Sequence, residues 1–122
     1  MCSIERFHSN ARMSRIVRYA GLIHLCGQTA NRSASAAADI AAQTREVLAR
    51  IDALLGEAGS SRSRLVSVTI YLRDMADFDG MNTVWESWLD GSPKPARTTV
   101  QAAMSAPHLR VEMTAVAAPI GA

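Results

Sequence analysis

Among the side chains of this sequence that are capable of chemistry, Arg97 and Glu112 are the most suggestive pair. Arg97 follows the turn-prone Pro95-Ala96 and opens a segment that reads as a strand, from Arg97 to about Ala103. A guanidinium there presents a planar fork of donors that grips a carboxylate through two parallel hydrogen bonds, which lysine does not reproduce. Glu112 falls on the polar side of the next strand-like segment, where a carboxylate is able to hold or deprotonate a water molecule. On pattern alone, an ordinary cross-strand Arg–Glu ion pair, worth about 1 kcal/mol or less when exposed, is the simpler account.

The remaining reactive residues offer less. His8, His24 and His108 are scattered over separate segments, and no His-x-x-x-His or Cys-x-x-Cys spacing occurs. His24 and Cys26 share one face of a strand, but structural zinc sites usually need four ligands, so a half-buried histidine and a packed thiol are the expectation. The chain has no Gly-x-Ser-x-Gly elbow, no glycine-rich phosphate loop and no dinucleotide fingerprint. Trp85 and Trp88 resemble a ligand platform, yet with Phe78, Met81 and Leu89 they are spaced as the buried stripe of an amphipathic helix.

Local patterns predict the elements that must position these residues. Short strands are expected around Ile4 to His8 and Ser14 to Tyr19; Ala20-Gly21 reads as a hairpin turn into a third strand from Leu22 to Cys26. A helix is predicted from near Ser35 to about Ala58, where Ile40, Thr44, Val47, Leu48, Ile51, Leu54 and Leu55 recur at three- and four-residue steps. Asp39, Gln43, Glu46 and Arg50 fall mainly off that stripe, and Gly59 is suited to end the helix. In the next strand Val66, Val68, Ile70 and Leu72 alternate with polar residues. Asp74 is a candidate N-cap for a second helix with an acidic first turn at Asp77, and Asp90 to Pro93 end it. A last strand runs from Leu109 to about Ala117. The order β-β-β-α-β-α-β-β implies an α+β domain spanning residues 1–122, with a mixed sheet and two helices on one face. The other sheet face then lacks a cover, for which subunit association is the natural solution.

Composition narrows the class. A chain of 122 residues with 48% hydrophobic content has a core's worth of apolar side chains. A formal charge of +2, spread without runs, argues against nucleic acid as the main partner. No apolar run approaches the ~20 residues that cross a membrane, and no secretory signal opens the chain. Cys2 and Cys26 are numerically sufficient for one bridge, but reduced thiols in a cytoplasmic protein are the expectation.

Several segments together resemble the reactive-intermediate deaminase family, the Rid or YjgF-like group once labelled as perchloric-acid-soluble ribonucleases. They are Cys26-Gly27-Gln28, the run from Asp77 to Asn82, the run from Pro95 to Gln101, and the closing stretch from Val111 to Ala117. The opening from Arg12 to Arg15 and the Trp85/Trp88 helix place the chain nearer the YoaB-like branch than the founding imine deaminases. The likeness extends from about Ile4 to Ala118, and the order and spacing of its short motifs make it specific.

The resemblance implies a chorismate-mutase-like α+β fold, a homotrimer whose sheets pack into a central barrel, and sites in the clefts between subunits. It also implies cofactor-independent, metal-free hydrolysis of 2-imino acids, or of enamine tautomers such as 2-aminoacrylate, to 2-oxo acids and ammonia. By the same resemblance Arg97 binds the substrate carboxylate, Glu112 positions the attacking water, and Gly27, Gln28 and Thr99 line the cleft. Two departures bear on pocket shape. Met13 or Ser14 stands where founding members often carry an aromatic residue, and Thr99 stands where many carry cysteine. A non-catalytic trimeric binder of 2-oxo acids is the alternative, disfavoured by the acid at Glu112. A ribonucleolytic role finds no histidine pair and no basic groove in the sequence.

Overall fold

The computed structural model describes residues 3–121. Cys2, one of the two thiols that a bridge would need, lies outside the described residues; Cys26 is half-buried. The elements in chain order are β1 (Glu5–Phe7), β2 (Ile16–Tyr19), β3 (Leu22–Gln28), α1 (Ile40–Glu57), β4 (Leu65–Leu72), α2 (Phe78–Trp88), β5 (Ala96–Gln101) and β6 (Val111–Ala117). This is the order the sequence predicts. The strands form one mixed sheet in the order β1-β2-β3-β6-β4-β5. Only β4 and β5 are parallel, because α2 carries the chain back between them; the other neighbours are antiparallel.

The β2–β3 hairpin closes as expected. Tyr19 pairs with Leu22, and the two turn residues, Ala20 and Gly21, have φ of 54° and 77°. Positive φ at both central positions gives a turn whose twist matches that of the flanking strands.

Helix α1 starts at Ile40 rather than near Ser35. The serines upstream compete for backbone groups and hold the chain in turns: Ser33 Oγ donates to the Ala30 carbonyl at 2.7 Å, and Ala38 N–H to the Ser35 carbonyl at 3.1 Å. Asp39 is the true N-cap, its side chain accepting from Ala42 N–H. At the other end Gly59, with φ 80°, lets Ser60 N–H reach the Leu55 carbonyl at 2.8 Å. The apolar stripe of α1 is buried as predicted, but so is Gln43, whose side chain ties the helix to the segment before β6. Its Nε2 donates to the Ala38 and His108 carbonyls at 3.0 and 2.9 Å, and its Oε1 accepts from Arg110 N–H at 2.8 Å.

Asp74 caps a short 3-10 turn, Met75–Asp77, that leads directly into α2. Met81, Trp85 and Leu89 are buried against the sheet, with Phe78 and Trp88 packed partly buried beside them. Three strand details differ from expectation. A register irregularity between Leu65 and Ser67 turns Val66 outward, where it is 46% exposed, while Val68, Ile70 and Leu72 stay buried. Strand β5 ends at Gln101, and β6 begins at Val111, leaving Leu109 buried but outside the ladder.

Both helices cover one face of the sheet. The core between them joins Ile16, Ile23, Leu25, Val68, Ile70, Leu72, Val111, Met113, Ala115 and Ala117 to the stripes of α1 and α2. The opposite face carries Val17, His24, Ser67, Thr69, Tyr71, Glu112, Thr114 and Val116, by alternation with those core positions. None of the described residues covers it, and Tyr19, Leu22 and Val100 are among the exposed large apolar residues.

Candidate functional site

Strand register decides where the two candidate residues point. Arg97 pairs with the buried Val68 and therefore faces the helices; Glu112 pairs with Tyr71 and faces the open side. Moreover, β5 and β6 are not neighbours, since β4 lies between them. Glu112 is level with Val100 through Tyr71, three residues from Arg97. Two strand spacings and three residues of rise put the Cα atoms about 14 Å apart, with side chains on opposite faces. A cross-strand Arg97–Glu112 pair is therefore excluded within one subunit, and Glu112 is not on the strand beside Arg97 as the sequence suggests. The candidate residues thus fall into two groups, on opposite faces of the sheet.

The first group lies where β5 passes beneath α2. Arg97 Nη1 donates to Asn82 Oδ1 at 2.7 Å. The guanidinium carbon lies 5.5 Å from the ring centre of Trp85 and 5.8 Å from that of Phe78. Cation–π attraction from two rings and one fixed hydrogen bond hold the side chain in place while leaving most of its five N–H donors unused. None of the ion pairs among the described residues involves Arg97. Trp85 thus belongs to the core, as its spacing predicts, and also braces the arginine. Thr99 lies on the same face of β5, pairing with Ile70, and its Oγ1 is buried without a partner among the described residues. A buried hydroxyl of that kind costs stability unless something else satisfies it, which marks the position as suited to a bound polar group.

The second group lies where β3 meets β6. The register between them shifts after Leu25, so that Gln28 pairs with Met113. That bulge brings Gly27 against Glu112 so closely that a Cβ added to Gly27 would overlap Glu112 Oε2. Glycine at 27 is what gives the carboxylate its place. Gln28 folds back, its Nε2 donating to the Cys26 carbonyl and sulfur, both at 3.3 Å. Burial pushes the Cys26 thiol pKa up, an effect opposed by the charge of Arg15, so this sulfur is poorly suited to act as a nucleophile. Next to Gly27 and Gln28 opens a cavity of about 520 Å³ whose wall includes Asn10, Met13 and Arg15.

Of the five residues singled out in the sequence, then, Arg97 and Thr99 lie together, and Gly27, Gln28 and Glu112 lie together elsewhere. Asn82 escaped notice as a functional residue. Its signal is that it sits four residues after Phe78 and three before Trp85, a polar side chain interrupting the apolar stripe of α2.

The described helices include none long and apolar enough to cross a membrane. A family model described as endoribonuclease L-PSP matches residues 3–119. The chain belongs to the Rid/YjgF family. Among Rid/YjgF relatives, the YoaB protein of Escherichia coli, described as a RutC family protein, is 37% identical over 95% of this chain and 98% of its own. A RutC family protein of Haemophilus influenzae is 35% identical over 94% of this chain and 97% of its own. The crystal structure of a YjgF-family member from Neisseria meningitidis superposes with a TM-score of 0.89 at 38% identity, covering 98% of each chain. One from Mycobacterium tuberculosis gives 0.81 at 31% identity, covering 97% of this chain and 99% of the other. The Rid/YjgF fold, chorismate-mutase-like and α+β, is thus the fold of this protein.

Proposed function

We propose that this protein hydrolyses 2-imino acids and their enamine tautomers to 2-oxo acids and ammonia, without metal or cofactor. The observation that carries the reading is Arg97: a braced guanidinium with free donors, next to the unsatisfied Thr99 hydroxyl and unpaired with any acid among the described residues. A 2-imino acid brings the carboxylate that such a fork recognises. Its protonated C=N carbon is already electrophilic, so holding the carboxylate and presenting water at the right distance supplies much of what catalysis requires.

Glu112 orients the water and accepts its proton as oxygen adds to the imine carbon. The resulting carbinolamine then loses its amine: Glu112 returns its proton to nitrogen, the C–N bond breaks as the C=O bond forms, and the hydroxyl proton passes to Glu112 and on to solvent as ammonia leaves. Atoms balance as imino acid plus water giving 2-oxo acid plus ammonia.

Because one subunit turns Arg97 and Glu112 to opposite faces, a working site draws Arg97 and Thr99 from one subunit and Gly27, Gln28 and Glu112 from another. A homotrimer packing the open sheet faces inward provides that arrangement, and it covers the face that the helices leave bare.

The test generates 2-iminopropanoate and 2-iminobutanoate in situ with an amino-acid oxidase and traps the residual imine with semicarbazide. Wild-type protein is expected to deplete the trappable imine, and Arg97→Ala to lose that effect by a factor of about 100 or more. Absence of acceleration across short and bulky side chains would overturn the hydrolase reading and leave a carboxylate-binding protein.

A further inference from the structure

The cavity beside Gly27 and Gln28 is more basic than hydrolysis of a simple imino acid demands. It lies where the β1–β2 connection, the end of β3, the following loop and the C-terminal half of α1 meet, and three arginines contribute to its wall: Arg15, Arg32 and Arg50. Only one of them is spoken for. Arg50 bonds Glu46 at 3.1 Å and the Asn31 carbonyl at 2.8 Å. Glu57, the one acid in the cavity wall, is engaged by His8. Neither Arg15 nor Arg32 belongs to any ion pair among the described residues.

Arg15 is the better placed of the two for chemistry at Glu112. It sits one residue before β2, and its carbonyl accepts from Cys26 N–H at 3.0 Å, so it lies directly across from the residue preceding Gly27. Gly27 in turn touches the Glu112 carboxylate. A cation without an ion-pair partner among the described residues therefore stands just before β2, beside the group that includes Glu112, and lines a cavity of about 520 Å³. That volume exceeds what a two- or three-carbon side chain occupies, and a half-polar wall carrying three arginines suits an anion at the end of a short aliphatic chain.

We infer that Arg15, backed by Arg32, binds a second carboxylate, so that the preferred substrates are 2-imino dicarboxylic acids with four- or five-carbon chains. The substrate's first carboxylate meets Arg97 of one subunit and its side-chain carboxylate meets Arg15 of the other, with the imine carbon between them beside Glu112. Two anchors at opposite ends of a short substrate orient it more fully than one. A side-chain carboxylate replaces the hydrogen bonds of the water it displaces beside the arginines, which an aliphatic side chain does not. This selectivity rests on the hydrolase reading, but the anion site does not, since a 2-oxo dicarboxylic acid would bind there without turnover.

The experiment therefore measures both. Calorimetric titration compares 2-oxoglutarate with 2-oxobutanoate on wild-type protein, Arg15→Ala and Arg15→Lys, and the imine-trapping assay compares 2-iminoglutarate with 2-iminobutanoate on the same proteins. Wild type is expected to favour the dicarboxylic member of each pair. Arg15→Ala is expected to reduce that ratio by about ten- to a hundredfold, the range for a charge-assisted hydrogen bond, and Arg15→Lys to restore part of it. A dicarboxylate preference in binding that is lost in Arg15→Ala, together with no turnover of any imine, would sustain the site and sink the hydrolase. Equal binding of the two oxo acids, or a ratio that Arg15→Ala leaves unchanged in a protein of wild-type circular dichroism, would overturn the inference.

Discussion

Gly27 illustrates how one missing methyl group serves a site. Glu112 alternates onto the open face of β6 as its strand pattern demands, but its carboxylate reaches its place only because β3 bulges and carries no Cβ at position 27. Gly27→Ala is expected to leave the melting temperature nearly unchanged, since the displaced group is the end of a flexible side chain, and to lower imine hydrolysis at least about tenfold. Loss of activity accompanied by a collapse of the melting temperature would instead make Gly27 a structural residue. Asn82 acts at one remove, through Arg97. Asn82→Ala removes the one fixed hydrogen bond on a guanidinium that Phe78 and Trp85 still hold by their ring faces. A rise in KM of about tenfold with a smaller change in kcat is expected, because the carboxylate anchor is loosened while Glu112 is untouched. A fall in kcat alone would point away from substrate anchoring.

At the scale of the elements, α1 is held at its start by two side chains that periodicity treats as surface. Asp39 caps the first turn, and Asp39→Ala is expected to cost about 1 kcal/mol, read as a lowered urea midpoint. Gln43 is fully buried and satisfies three carbonyls and one N–H from two separate stretches of chain, the turns before α1 and the segment before β6. Gln43→Leu fits the space but orphans those groups, so a loss of about 2–4 kcal/mol is expected. A Gln43→Leu protein as stable as wild type would mean that water replaces the amide. The stripe positions Val47, Leu48, Ile51 and Leu55 were legible because helical periodicity is local. Gln43 was not, because the carbonyl of His108 that it bonds is 65 residues away along the chain.

At the scale of the whole molecule, the proposed site implies a second copy of the chain. Arg97 and Glu112 of one chain diverge, and in the proposed cyclic assembly each Arg97 would meet the Glu112 of a neighbour. Arg97→Ala and Glu112→Gln are each expected to be inactive alone. Dissociated together and reassociated at equal concentration, they are expected to regain about a quarter of wild-type activity, since one interface in four then receives both intact residues. Recovery of nothing, with mixed oligomers demonstrated by mass, would place both residues of each site in one subunit.

What the sequence determined by itself is what depends on near neighbours along the chain. Alternation assigned the buried faces of β4 and β6, three- and four-residue steps assigned the stripes of α1 and α2, and Ala20-Gly21 announced the hairpin. Motif order was enough to recognise the family and to nominate Arg97, Thr99, Gly27, Gln28 and Glu112. The tertiary structure alone decided that these five form two groups. The α2 crossover returns β5 parallel to β4 on its outer edge, whereas β6 inserts antiparallel between β3 and β4. Strand order is set by which elements bury each other's surfaces, not by proximity in the chain, so consecutive strands β5 and β6 end up separated by β4.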